Sequence, residues 1–335
     1  MDKEQPPARL RDTLVTGSTI GAQEKLPREK KVQDYLRAST SDNTRKAYRS
    51  AIRQFEKWGG RLPTNNQVLV RYLLNRAEVL NSRTLDLHLT AIGQWHQYQG
   101  MSNPVTDPLV QKTMQGIRRT HGKPKQKAKA LSMQHLAAMA GHLRTQVASK
   151  KKARDLALLL TGFFGAFRRS ELVSIQVSDL IWEEEGLIIR LPKSKTDQSG
   201  EGILRALPYG DAQVCPASAL KHWLKIAAIT EGPVFRAVNR WDTVQPQQLN
   251  PTAINDLLKK LGHACGFDFV DQVSSHSFRR GLSTAAAREK VSFELIKKQG
   301  GWKSDAVVWG YIEEGQQFSD NASSILMKKM AELLR

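Results

Sequence analysis

Apolar residues recur at helical spacing through most of the chain. In "STSDNTRKAYRSAIRQFEKWGG", Tyr48, Ile52, Phe55 and then Trp58 or Gly59 fall three or four residues apart. That interval stacks side chains on one face of a helix. Ser41, Asp42 or Asn43 supplies a capping oxygen, and Gly59-Gly60 ends the run. "NNQVLVRYLLNRAEVL" has the same amphipathic form. "NSRTLDLHLTAIGQWHQYQG" repeats it, with Asn81 or Ser82 as the cap and Gly100 as the stop, and "DPLVQKTMQGIRRTHG" adds a fourth helix. Residues 31 to 121 therefore read as a small all-helical domain. Residues 1 to 30 before it are polar, carry Pro6 and Pro7 and show no period, the pattern of a flexible tail.

"GKPKQKAKA", residues 122 to 130, breaks the pattern with Lys123, Lys125, Lys127, Lys129 and no acid. It reads as a basic linker, either solvated or lying along phosphates. From Leu131 the helical period returns. "SMQHLAAMAGHL" is followed by "KARDLALLLTGFFGAF", which is apolar nearly all round and so predicts a buried helix. "GLIIRLPKSKTD" and "GILRALPYG" change to short β-rich runs bounded by Gly and Pro, which predicts a small antiparallel sheet with a turn near Lys195 to Gly202. Helices follow at 216–228, 250–266, 276–290 and 293–301. The fold class is mainly α: a helical domain, then a mostly helical domain from 131 to 335 with a minor antiparallel sheet.

Composition narrows the partner. The 335 residues hold 51 Lys and Arg against 32 acids, a net charge of +19, which favours a polyanion such as nucleic acid. No run approaches the roughly 18 apolar residues of a membrane span, and the N-terminus lacks a signal-type apolar stretch. The expectation is a soluble intracellular protein. Cys215 and Cys265 stand in unrelated contexts, which excludes a disulfide framework and a Cys-rich zinc site. Phosphate-loop glycine motifs, HExxH and a carboxylate cluster suited to Mg²⁺ are all missing from the sequence.

Four separated fragments carry the candidate chemistry. "GAFRRSEL" spaces Arg168 and Glu171 three apart, "PKSKTD" holds Lys195, "SSHSFRRG" spaces His276 and Arg279 three apart, and "GGWKSDAVVWGYI" supplies Trp302 and Tyr311. Any one of these occurs by chance. All four, in this order and in a basic two-domain chain, resemble the catalytic domain of the tyrosine recombinases, the phage-integrase family of DNA strand-exchange enzymes. The resemblance covers nearly the whole chain, since "NTRKAYRSAIRQF" looks like that family's core-binding domain. Most members have His where Trp302 stands, and the Trp is the variant of the Cre-like branch.

Breaking a phosphodiester without metal needs a nucleophile, positive charge around the pentacoordinate phosphorus and a proton donor for the leaving 5′-oxygen. Tyr311 is the nucleophile, giving a 3′-phosphotyrosine that a second 5′-hydroxyl can reverse. Arg168 and Arg279 are planar cations suited to clamping the non-bridging oxygens. The resemblance implies that Lys195 protonates the leaving oxygen; Lys193 competes with it in the same turn, and the following Thr196 favours Lys195. His276 donates to the phosphate or assists proton transfer at Tyr311. Trp302 offers an indole N–H or packs as a flat wall. Glu171 orients Arg168 or His276. Arg169 and Arg280, beside the two clamping arginines, are read as DNA-phosphate or salt-bridge partners. This chemistry needs no ATP, metal or other cofactor. The remaining histidines show no usable pairing.

Ser304 or Asp305 caps a short helix bearing Tyr311, with Val307, Val308 and Tyr311 on one face. Gly300, Gly301, Gly310 and Gly315 around it suggest freedom to shift. The last helix carries Ile325, Leu326, Met330 and Leu333 as a stripe, which packs on its own domain or, as the resemblance implies, docks into a neighbouring protomer. The resemblance further implies a homotetramer on double-stranded recombination sites, in the bacterial cytoplasm at the nucleoid, with accessory proteins left open. Candidate base readers are the second and fourth helices and the segment from Arg236 to Trp241. A type IB topoisomerase shares the Tyr, Arg and Lys logic, and a non-catalytic DNA-binding regulator could use the same scaffold.

Overall fold

The computed structural model describes residue 35 and residues 39–124, 126–191, 202–318 and 321–334. Lys125, Lys193, Lys195 and the 1–30 tail lie outside the described residues. The chain divides between residues 125 and 126 into two compact units.

Among the described residues the first unit has four long α-helices: α1 Asp42–Trp58, α2 Asn66–Arg76, α3 Ser82–Tyr98 and α4 Pro108–His121. Each starts on a side-chain cap. Ser41, Asn65, Asn81 and Asp107 accept from backbone N–H groups in the first turn, satisfying donors that a helix start leaves open. Gly59 ends α1 with φ at +111°, the left-handed conformation that glycine adopts at least cost. Phe55, Leu69, Leu73, Leu85, Ile92 and Met114 form the core. Each such fully buried side chain contributes roughly 1.5–3 kcal/mol. Two histidines belong to this core. His88 Nδ1 is 2.6 Å from the Tyr72 hydroxyl, and His96 Nε2 accepts from the Thr64 N–H at 3.0 Å.

The second unit opens with α5 Met133–Thr145, α6 Lys150–Phe164 and α7 Arg169–Ser174. A three-stranded antiparallel sheet follows, β1 Leu180–Trp182, β2 Gly186–Leu191 and β3 Ile203–Pro208, in the order β1-β2-β3. Then come α8 Pro216–Ile226, β4 Arg236–Val238, β5 Val244–Gln248, α9 Thr252–Ala264, α10 His276–Arg288, α11 Phe293–Gly300, α12 Asp305–Gln316 and α13 Ala322–Leu333. The β4–β5 hairpin has no clear signal in the sequence, because its strands are short and Pro246 interrupts the second. Asp242 at its tip, with φ at +58°, accepts from the N–H groups of Lys150 and Lys151 and so caps α6. Leu158, Leu159, Leu160 and Phe163 of α6 are buried at 1% exposure or less, as the all-round apolar pattern predicts.

Candidate active site

The site is built where α6, α7, α10, β3 and the α11–α12 corner meet. After α6 the chain turns through Ala166, at φ +48°, and Arg168 becomes the N-cap of α7. Glu171, three residues on, reaches back: Oε2 accepts from the Arg168 N–H at 2.9 Å and Oε1 pairs with the Arg168 guanidinium. Glu171 is 6% exposed, so this one carboxylate fixes both the backbone and the charge of Arg168. Of the two roles the sequence leaves open for Glu171, the described contacts are those to Arg168.

Arg279 lies one helical turn after His276 on α10 and is 4% exposed. Its Nη1 donates to the Ala166 carbonyl, and its guanidinium stands 4.6 Å from the centre of the Trp302 ring. Nη2 is buried and has no hydrogen-bond partner among the described residues. Burial, then the charge of Arg168, pushes Arg279 down to about 10. A desolvated guanidinium with an open donor is a strong site for an oxyanion.

Trp302 is 8% exposed and its ring centre is 5.3 Å from that of Tyr311. Tyr311 is half-buried on α12, and the Arg280 guanidinium is 5.8 Å from its ring centre. His276, at the first position of α10, is exposed, and its backbone N–H donates to Ser274 Oγ. Arg168, Glu171, Arg279, Trp302 and Tyr311 are thus brought together.

The tyrosine helix corrects two expectations. Its buried face is Val308, Ile312 and Gly315, whereas Val307 is 43% exposed. Ser304 is the N-cap residue but makes no side-chain cap bond. Three of the four glycines have packing reasons, Gly301 among them because a Cβ there would overlap the Arg205 guanidinium. A Cβ on Gly315 would come within 2.7 Å of the Thr284 carbonyl, and one on Gly300 would overlap the Trp302 ring. Trp309 faces outward, half exposed, and stacks on Phe293 with ring centres 4.8 Å apart.

Among the flanking cations, Arg169, Lys123, Lys127 and Lys129 are exposed. Arg280 pairs with Glu314. Lys127, Lys129, Arg280 and Arg288 line one cavity of about 690 Å³ together with Glu314. Sequence reasoning missed Arg205 on β3, which is 3% exposed and also pushed down to about 10 by burial. Alternation along "ILRALP" was the available signal, since Arg205 shares the inward parity of Leu207 while Leu204 faces out.

Buried Arg205 and Arg279, with half-buried Arg168 paired to Glu171 and Tyr311 against Trp302, form a cationic cluster of the class suited to an oxyanionic group. The chain belongs to the phage integrase family, the tyrosine recombinases, whose profile matches residues 129–317. It is 34% identical over 325 residues to the integrase/recombinase xerD homolog of Selenomonas ruminantium, covering 94% of each chain. It is 24% identical over 299 residues to recombinase cre of Escherichia phage P1, covering 82% of this chain and 85% of that one. In fold it is similar to the XerH site-specific recombinase bound to palindromic difH, with a TM-score of 0.62 at 16% identity over 84% of this chain and 80% of that one. Lambda integrase (residues 75–356) bound to DNA gives 0.61 at 13% identity over 87% and 95%. Among the described residues no helix is long and apolar enough to cross a membrane.

Proposed function

We propose that this recombinase cuts and rejoins specific DNA sites through a 3′-phosphotyrosine, exchanging strands by way of a Holliday junction. The observation that carries the reading is the line from Tyr311 through Trp302 to Arg279, with ring centres 5.3 Å apart and a guanidinium 4.6 Å from the indole. Tyr311 Oη attacks the scissile phosphorus, the P–O5′ bond breaks, and the leaving oxygen takes a proton from Lys195. The Tyr311 proton passes to solvent or to His276.

Arg168 and Arg279 clamp the non-bridging oxygens, and the unpartnered Nη2 of Arg279 supports that role. Glu171 holds Arg168 in register. Trp302 walls the pocket and offers its indole N–H. The positive charge of these residues supports a reaction without a bound metal.

Residues 31–121 serve as the core-binding domain, 122–130 as a phosphate-tracking linker and 131–335 as the catalytic domain. Lys123, Lys125, Lys127, Lys129, Arg169 and Arg280 contact DNA backbone. The active form is a homotetramer in which α13 docks on a neighbouring protomer. Its support is that α13 buries no residue of its own, with Ile325, Leu326, Met330 and Leu333 at 63–78% exposure. The site of action is the bacterial cytoplasm, at the nucleoid.

The test uses a plasmid carrying the DNA that flanks the gene, mixed with wild-type or Tyr311→Phe protein in EDTA. Denaturing gels should show protein joined to a 3′ end with the wild type alone. An equal adduct from Tyr311→Phe would remove Tyr311 from the role.

A further inference from the structure

Arg205 shares the burial of the catalytic cluster but has no part in the chemistry above. Its guanidinium fills the space beside Gly301: a Cβ on that glycine would overlap Nη2. Nη1 donates to the Lys298 carbonyl at 3.4 Å and to the Leu204 carbonyl at 3.3 Å. Gln299 makes the reciprocal contact, its Nε2 donating to the Ala206 carbonyl on β3 at 3.3 Å. The end of α11 is therefore held to β3 by one side chain from each partner. Gly301 closes α11 with φ at +59° and ψ at 46°, and its N–H donates to the Lys297 and Lys298 carbonyls. The carbonyl that Arg205 binds is thus one that forms the turn itself. The next residue is Trp302, which stands between Arg279 and Tyr311.

An apolar side chain of similar volume would fill this space without desolvating a cation. The guanidinium supplies a planar donor for the corner and a positive charge facing Glu171, Arg168 and Arg279. Its Nε is buried without a partner among the described residues, so burial is not compensated by hydrogen bonds alone.

We infer that Arg205 is a positioning residue for strand cutting, which acts by fixing the Gly301–Trp302 corner against Arg279 and Tyr311. This rests on the recombinase reading above. β3 also leaves the segment that holds Lys195, ten residues earlier in the chain. Arg205 thereby ties the strand that follows the proton donor to the corner that precedes the nucleophile.

The experiment compares Arg205→Met, Trp302→Ala and the double variant in single-turnover adduct formation on site DNA. The same chains are labelled with 5-fluorotryptophan, and the Trp302 resonance is assigned by its loss in Trp302→Phe. Arg205→Met should bind DNA as the wild type does, cut at least about tenfold more slowly and shift the Trp302 resonance. The double variant should be no slower than the slower single variant, because both changes act at one point. Arg205→Lys, which keeps the charge and stem, should recover part of the rate, and it replaces Arg205→Met if the latter does not fold. Unchanged cutting, losses that multiply in the double variant, or an unmoved Trp302 resonance would each overturn the inference. A wild type that makes no adduct on any DNA would count against the recombinase reading instead, and the fluorine spectrum would still decide whether Arg205 holds the corner.

Discussion

The Nη2 of Arg280 lies between the two carboxylate oxygens of Glu314, three residues beyond Tyr311. This pair, the Arg288 bond to the Gly315 carbonyl and the Gln316 bond to the Ala287 carbonyl lock the C-terminal half of α12 onto α10. The N-terminal half has the more exposed Lys297–Asp305 pair at 2.5 Å. Glu314→Ala should therefore lower stability by about 1–2 kcal/mol and speed amide exchange within 305–316 selectively. Exchange that rises equally across the second unit would refute a local lock.

Tyr311→Phe removes one oxygen from a half-buried ring whose neighbours are Trp302 and Arg280. DNA affinity and thermal unfolding should match the wild type, while covalent joining to DNA should disappear. Any residual adduct would point to another nucleophile.

Arg279→Lys keeps a positive charge but loses the fork that binds the Ala166 carbonyl and lies on Trp302. Adduct formation should fall by about 100- to 1,000-fold, the cost of removing one preorganised oxyanion donor. A loss below about tenfold would mean that charge alone suffices there.

Burial pushes Arg205 and Arg279 each down to about 10, below the ordinary guanidinium value. The unfolded chain holds these protons more tightly than the folded one. The two buried cations therefore oppose folding at all pH values below about 10, and the opposition fades as pH rises above about 10 towards the ordinary guanidinium value. Measured by urea unfolding against an Arg279→Met reference, which cancels other titrations, the wild type should gain relative stability between about pH 9 and 11. A constant difference would show that Arg279 is not desolvated.

Deleting residues 319–335 should leave the unfolding of the remaining chain nearly unchanged, since α13 buries none of its residues. Assembly on DNA should fall from tetramer to smaller species in sedimentation. A large loss of thermal stability would mean that α13 packs on its own chain instead.

Helices were legible in the sequence because their apolar spacing and caps are local. α1 is a clear case, with Ser41 before it and Gly59 after it. Site residues separated by three positions were legible for the same reason, as with Arg168 and Glu171. Arg205 was not, because its partners at Lys298 and Gly301 are more than ninety residues away and a strand arginine reads as solvent-facing. The buried face of α12 does not include Val307, because three adjacent apolar residues, Val307, Val308 and Trp309, fit more than one helical phase. Gly300 and Gly315 read as loose until the close approach of Trp302 and Thr284 gives them a steric reason.

Three guanidiniums, Arg168, Arg205 and Arg279, lie in the field of one buried carboxylate, Glu171, which is ion-paired to Arg168. That surplus makes any oxyanion entering the pocket a folding ligand, because it binds the native chain and not the unfolded one. Melting temperature then becomes a readout of occupancy that needs no turnover. Fragments of genomic DNA could be ranked by the heat they allow the protein to withstand, and the recombination site found by calorimetry before a single strand is cut.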